Sequence, residues 1–570
     1  MKNIFLKTAI VGIIATGAVS CADELNIQSI DPKTSPSFND MELLAKQYAT
    51  LGLTGQIGGA GNSDISGDEG EIGFIRTTFN LEELCTDICA WAWQDNEDIK
   101  PLTNIQWTSS STRAYWAYQR LSYDITLYNS YLSQQGGRSD GEYPHYLAEV
   151  RFLRALHYWY FLDLFHKAPF KTDFSMSELP IEKGGKDLYD WIDKELTEIE
   201  SLLAPMGSFN NAQNFGRADQ GAAYALHARL ALNSEVYTDG QVKDYQKAID
   251  YCDKVIGGPY ALSTATKNGF TGYEQLFMGD NDTNPQAMKE IIFAIRQDGN
   301  KTQSHAGSTY MVSSCRVTGM PYSYTDNYWS CNFARKSLIE KFFPTITDCK
   351  IPTENAVKDY MEAHGLKNFE KESDVIEADA VLGGSTASII AAANDDRAMF
   401  YGGVGGDSKE NIRKYTMDKN IKNFFDGLSI VKWQNRRSDN SAPSPTIFSD
   451  TDIPVFRLAE MYMTRAEAKL RAGQSGAVDD INVIRARAHT NTLNAIELKD
   501  LPDEWCREFY MEGRRRSDLV RFGLFTSSRY VWPMKGGTPT GTGVDSHFNV
   551  YPIPDNDLAG NPNMTQNPGY

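Results

Sequence analysis

The sequence predicts a mainly α protein, a TPR-like scaffold of helix pairs joined to a loop-rich half containing short strands. Three observations carry this. Apolar residues recur at three-and-four spacing in segments on both sides of the chain's middle, the mark of amphipathic helices. One segment carries a stripe of small residues and is followed by a helix with larger ones, the combination that lets tetratricopeptide-type pairs approach closely. Between these blocks the chain is dense in Gly, Pro, Asn, Asp, Ser and Thr, the texture of loops.

Taken in order, the chain opens with Lys2 and Lys7, then an uncharged stretch from Thr8 to Ala22. A membrane-spanning helix needs ~20 apolar residues; this run is shorter and reads as a signal-peptide core over residues 1–20. Ala18, Val19, Ser20 and Cys21 resemble a bacterial lipobox, with Cys21 the lipidated first residue of the mature protein. Ala18 departs from the Leu usual there. Residues 21–75 read as an anchor-proximal linker with one helix near Met41 to Leu51 and the Gly-rich loop "GQIGGAGNSDISGDEG".

Region 76–260 holds four helical segments in two pairs. Leu147, Val150 and Leu153 repeat within 146–165; Ile192, Leu196, Ile199 and Leu203 within 188–203. Gly221, Ala225, Ala228 and Leu232 form the small stripe of 216–237, and Tyr245, Ile249, Cys252 and Ile256 share a face of 245–256. Region 261–450 is loop-rich, with short strands in "EIIFAIR" and "SIVKW". Region 451–570 returns to helix at 452–473, 477–488 and 502–523. Its last stretch, "YPIPDNDLAGNPNMTQNPGY", carries Pro552, Pro554, Pro562 and Pro568, which predicts no helix.

The 570 residues include 74 acidic and 56 basic side chains, a net charge of −18. A nucleic-acid binder presents a basic face, and an anionic bilayer repels this chain, so membrane attachment rests on the lipid anchor alone. No segment after the signal is expected to span a membrane. The 29 Tyr and 10 Trp suit stacking on neutral ligands. Seven cysteines besides Cys21 make an odd set with no framework pattern, and sequence selects no pairing.

Motifs for catalysis fail individually. "GGSTA" at 383–387 lacks the last Gly of a nucleophile elbow, and "GGKD" ends in Asp187 where a phosphate loop needs Ser or Thr. H-E-x-x-H is absent, and "DNDTNP" at 280–285 starts like a calcium loop but has Pro285 where Gly belongs, so it reads as an acidic surface loop. No catalytic residue, cofactor or metal ligand is assigned. The 74 acids leave a paired-carboxylate glycosidase open.

Binding chemistry is better represented. A neutral sugar is held by an aromatic ring against its C–H face and by planar polar groups on its hydroxyls. "ICAWAWQDNEDIKPL" offers Trp91, Trp93, Asp95 and Asn96, the two indoles at i and i+2. "VTGMPYSYTDNYWSCNF" offers Tyr322, Tyr324 and Trp329; "NDDRAMFYGG" adds Arg397 and Tyr401; the Gly-rich loop adds Asp64 and Asp68. "GRRRSDLVRF" reads as internal salt bridges.

Here the chain resembles the SusD/RagB family of surface glycan-binding lipoproteins of Bacteroidetes. The resemblance rests on "AEVRFLRALHYWYFLDLF", "GRADQGAAYALHARLAL", "DIPVFRLAEMYMTRAEA", "INVIRARA", "REFYMEGRRRSDLVRFG" and the C-terminal stretch, in the family's order. It implies a SusD-like fold with four TPR-like helix pairs and a loop-rich half carrying the ligand site. It implies an oligosaccharide or polysaccharide ligand and a SusC-like TonB-dependent transporter as partner. An outer-membrane, lipid-anchored, surface-exposed location follows, with Asp23 and Glu24 resembling an export signal. The family commonly places an exposed aromatic and an Asn or Asp after a Thr-Asp pair, here Thr86 and Asp87, which favours the Trp91–Asn96 stretch. A fructan of the levan type is the resemblance's faintest implication. A surface glycosidase or peptidase, or a peptide-binding RagB-like receptor, stays open as the alternative.

Overall fold

A computed structural model describes residues 39–55, 63–175, 177–349, 351–405 and 427–570. The signal segment and Cys21 lie outside them. The chain divides into a unit of Met1–Lys46 and a body of Gln47–Tyr570. Helix α1 (Asp40–Gly52), expected near Met41, begins in the first.

In the body, α2 (Phe74–Glu83) and the short α3 (Ile99–Asn104) precede the long helices α4 (Thr112–Gln135) and α5 (Tyr143–Phe165). Then come α6 (Gly185–Ile199), α7 (Gln220–Leu232) and α8 (Tyr245–Ile256). Neighbours pack in sequence, α4 on α5, α5 on α6 and α7 on α8, which is the TPR-like arrangement expected. Helix α4 escaped the periodicity reading because its inward face mixes Arg113, Arg120 and Asp124 with aromatics. Helix α7 starts where Asp219 accepts hydrogen bonds from the Gly221 and Ala222 amides. A Cβ on Gly221 would sit 2.1 Å from Tyr260 Oη, so the small residue there is a requirement of packing.

The loop-rich half contains two apolar helices, α9 (Glu372–Leu382) and α10 (Thr386–Ala393). Together residues Glu372–Ala393 are long and apolar enough to cross a membrane, with mean hydropathy 1.4, against the expectation that no such segment follows the signal. A break at Gly383 and Gly384, both at positive φ, divides the segment into two short helices on the body's surface. "DNDTNP" is only partly the surface loop expected: Thr283 and Pro285 are exposed, but its first residue is not. Asp280 is buried, accepting from the Ser438 amide and hydroxyl, and Asn284 caps the next helical turn.

The strands are short. β1 (Cys89–Trp91), β5 (Asn332–Ala334), β7 (Ser429–Ile430) and β6 (Phe400–Tyr401) form one antiparallel sheet in that order. β2 (Lys167–Phe170) pairs with β3 (Ile181–Gly184), and β4 (Ile291–Ile295) with β8 (Ile453–Arg457). The segment expected to be helix from 452 therefore starts as strand β8 and becomes α11 (Leu458–Arg471) only after Arg457. α12 (Ala477–Arg487) follows as expected. The 502–523 segment breaks into α13 (Leu501–Phe509) and α14 (Arg515–Arg521), with Met511 and Gly513 at positive φ between them. Helix α8 packs on α11 and α11 on α12, around Ile249, Met463, Ile481 and Trp505.

The Pro-rich end contains one turn-and-a-half of helix, α15 (Asp555–Gly560), contrary to expectation. Pro554 takes the N-cap place, where no amide is needed, and Pro562 lies beyond the last turn. The remainder lies extended on the body: the Tyr551 amide donates to Leu164 O, and Asn567 Nδ2 to Phe165 O.

Charged side chains hold this frame from inside. The arginines of "GRRRSDLVRF" form internal salt bridges, as expected, and Arg514 is half-buried beside Glu460 and Asp518. Among the buried ones, Arg515 grips Asp87 with two hydrogen bonds of 2.8 and 2.9 Å, Arg516 pairs with Glu82 and Asp163, and Arg521 with Glu467. The seven described cysteines are buried free thiols.

Glu83 is different. It accepts the Gly513 and Arg514 amides on one oxygen, the other has no hydrogen-bond partner among the described residues, and burial pushes its carboxyl up to about 8. The folded chain thus keeps a proton that the unfolded chain releases, and this contribution is lost as pH rises from the unfolded value toward 8. In urea melts, the stability of Glu83→Gln relative to wild type should rise by about 1.4 kcal/mol per pH unit between 5 and 8. A difference independent of pH would contradict the assignment.

Candidate functional site

Antiparallel pairing joins two distant pieces of sequence at one place. β1 and β5 match Cys89 with Ala334 and Trp91 with Asn332, and the Ala92 amide continues the ladder to Cys331 O. Beyond the last pair, Trp93 leaves one strand as Trp329 approaches the other. Both indoles open onto a cleft of about 250 Å³, together with His305, Arg76 and the acidic segment Asp68 to Glu71.

The cleft's rings are braced from behind. Trp91 is the last residue of β1 and 1% exposed, so it is core and not part of the binding face. The i, i+2 reading fails because the chain turns at 93–96, where the Asn96 amide donates to Trp93 O. Trp91 meets Trp93 edge-on at 5.9 Å and stacks on Tyr310 at 5.7 Å. Trp93 itself is 37% exposed. Trp329 lies 6.2 Å from the His305 ring and 6.3 Å from Tyr310. The Arg76 guanidinium sits under this group, 4.6 Å from the Tyr310 centroid and 5.6 Å from those of Trp91 and Trp329.

Polar groups line the other side. Arg76 Nη2 pairs with Glu71 at 2.6 Å, and Arg113 pairs with the second Glu71 oxygen. Burial raises the Glu69 carboxyl, but hydrogen bonds from His305, Ser304 and Thr54 outweigh it and hold the group below the usual glutamate range. Asp68 is exposed at the rim, one oxygen accepting the Gly70 amide at 2.9 Å. A cleft with exposed ring faces, carboxylates at its rim and a guanidinium behind suits a ligand with both apolar C–H faces and hydroxyls.

The sequence candidates divide accordingly. Trp93, Trp329 and Asp68 come together in the cleft; Asp95 and Asn96 are exposed on the turn just after Trp93. Asp64 does not belong to the site, because its carboxylate is spent on Arg120 in two hydrogen bonds of 2.7 and 3.0 Å. Arg397 is fully buried among Asp395, Glu504 and Glu508 and grips no ligand. Tyr401 is 3% exposed, donating to Asp379 and accepting from the Gly405 amide. Tyr322 and Tyr324 belong to a loop of their own, both at positive φ. His305 and Arg76 were missed: the first is an isolated His in a Ser/Gly stretch, the second lies inside a helical pattern.

Comparison with known proteins agrees with this architecture. The SusD family profile matches residues 289–570. The starch-binding protein SusD of Bacteroides thetaiotaomicron is 50% identical over the whole of both chains. SusD-like protein P25 of Formosa agariphila is 24% identical over 74% of this chain and 73% of its own. Among solved structures, a SusD-like protein of Bacteroides fragilis superposes with TM-score 0.63 at 19% identity, covering 95% of this chain and 100% of its own. Surface glycan-binding protein A of Bacteroides thetaiotaomicron, in complex with laminarihexaose, gives TM-score 0.61 at 16% identity over 92% of this chain and 98% of its own. With a relative identical at half of all positions over the whole of both chains, and a SusD family profile matching its C-terminal half, this chain belongs to the SusD family.

Proposed function

We propose that the protein is a non-catalytic receptor that captures α-glucan chains of the starch type on the Trp93–Trp329 cleft. The observation that carries this reading is the meeting of two indoles and an imidazole, from segments over 200 residues apart, around one open cleft. Exposed aromatic surface is unfavourable unless something covers it, and these rings are backed rather than buried. The starch-binding relative supports α-glucan over the fructan expected from the faint family likeness. Hydroxyls of a bound sugar would face Asp68, Glu71 and Arg76, while its C–H face covers Trp93 or Trp329.

The same reading places the protein at the outer membrane, held through lipid on Cys21, and passes the captured oligosaccharide to a SusC-like TonB-dependent transporter. Multiple acyl chains hold durably, since each buried methylene contributes ~0.8 kcal/mol. What supports this is the lipobox-like sequence and family membership.

Two outcomes test the proposal. Trp93→Ala and Trp329→Ala should each weaken maltoheptaose binding by about 1–3 kcal/mol, as loss of one stacked ring does for nucleic-acid bases. Their far-ultraviolet spectra should stay native. Wild-type affinity in both variants would refute the cleft, and shortened glucan chains after incubation would refute the non-catalytic role. For the anchor, Cys21→Ala should shift the protein from membranes to the soluble fraction; unchanged membrane fractionation would refute it.

A further inference from the structure

Tyr322 stands apart from the cleft just described, 41% exposed on a backbone at φ +56°. A non-glycine residue in the left-handed region is uncommon and is held there only by its surroundings. Here the Tyr322 amide donates to Glu372 at the start of α9, and the Arg436 guanidinium lies 4.2 Å from the ring centroid. Arg436 also lies 4.6 Å from the Phe270 ring. The exposed phenol is therefore fixed before any ligand arrives.

The ring borders a second cavity of about 460 Å³, within the range of ligand sites. It shares no lining residue with the Trp93–Trp329 cleft. One wall is apolar, supplied by α9 and α10 through Ile376, Ala387, Ile390 and Ala391. The cavity also holds two buried charged groups that do not pair with each other. Arg316, 3% exposed, donates only to carbonyl oxygens, Ile430 O at 3.1 Å and Trp433 O at 2.7 Å, with no carboxylate partner among the described residues. Asp379, 1% exposed, accepts from Tyr401 Oη and the Val404 amide, both at 2.8 Å, with no cationic partner among them. Burial accordingly moves both toward neutrality, Arg316 down to about 10 and Asp379 up to about 6.

Buried charges are ordinarily paired. Among the described residues the cavity keeps one buried charge of each sign unpaired, with Glu274 and Arg436 also balancing on its wall, so beside a fixed aromatic ring it favours neither an anion nor a cation. It suits a neutral ring bearing hydroxyls, which can accept from a guanidinium and donate to a carboxylate. From this arrangement of Tyr322, Arg316, Asp379 and the α9–α10 wall we infer that the protein has a second saccharide-binding site, separate from the Trp93–Trp329 cleft. This inference rests on the glycan-binding reading above and adds to it. A glucan long enough to touch both sites gains avidity that a short oligosaccharide does not.

The test uses maltoheptaose calorimetry and migration in soluble-starch gels. Ala391 is exposed on α10 and lines the cavity, so Ala391→Trp fills the site from a position where added bulk spares the core. The Trp93→Ala/Trp329→Ala double variant should retain weak binding, and adding Ala391→Trp or Tyr322→Ala should reduce that remainder about tenfold, the effect of one stacked ring. Ala391→Trp alone should leave the stronger maltoheptaose site unchanged while lessening retardation by starch. If Ala391→Trp and Tyr322→Ala change binding in neither background, or if the double variant binds nothing, the second site is refuted. Full affinity in the double variant that Ala391→Trp then abolishes would keep the second site and refute the cleft instead. A wild-type protein that binds no maltoheptaose refutes both.

Discussion

The cleft depends on one buried cation. The Arg76 guanidinium lies against Tyr310, Trp91 and Trp329 at once, and it donates to Gly70 O and to Glu71. A charge so enclosed is tolerable only when paired, and Glu71 supplies the pair while also holding Arg113. One ion pair thereby fixes helix α2, the end of β1, the acidic 68–71 segment and the loop carrying Trp329 relative to one another. An aromatic surface facing water tends to fold inward and bury itself. Here the space behind the rings is already filled by a planar cation that complements their negative faces, so the outward orientation persists.

The frame delivers those pieces through pairings of long sequence separation. The β1–β5 ladder sets Trp93 beside Trp329, and Arg515 of α14 holds Asp87 two residues before β1 begins. The C-terminal arginines are thus structural anchors for the N-terminal strand that leads into Trp93. Breaking such a buried pair from one side leaves an uncompensated charge, which costs about 3–5 kcal/mol. The TPR-like helices contribute no lining residue to the cleft, and α4 touches it only through Arg113 on Glu71. They supply the rigid body against which short strands of only two to five residues can stay in register.

Much of the fold was legible in sequence because helices write their burial in a local period. Helices α5, α6, α7, α8 and α12 lie where apolar spacing predicted them, whereas α4 buries Arg120 and Asp124 against each other and so broke the pattern. The site was legible by chemistry but not by geometry. Trp93 and Trp329 stood out as aromatics among amides, yet nothing local distinguished exposed Trp93 from buried Trp91. Arg397 suited either a sugar clamp or an ion pair within its own loop; it pairs with Asp395 two residues before it, and Glu504 and Glu508, which complete its enclosure, lie 107 and 111 residues away. His305 and Arg76 gave no signal at all, since each acquires its role only from residues that folding brings beside it.

A crystal structure of the full chain with maltoheptaose tests the central claim most directly. The account requires a glucose ring lying about 4 Å above Trp93 or Trp329, its hydroxyls toward Asp68, Glu71 or Arg76. Oligosaccharide density elsewhere on the protein, with this cleft holding only solvent, would contradict it.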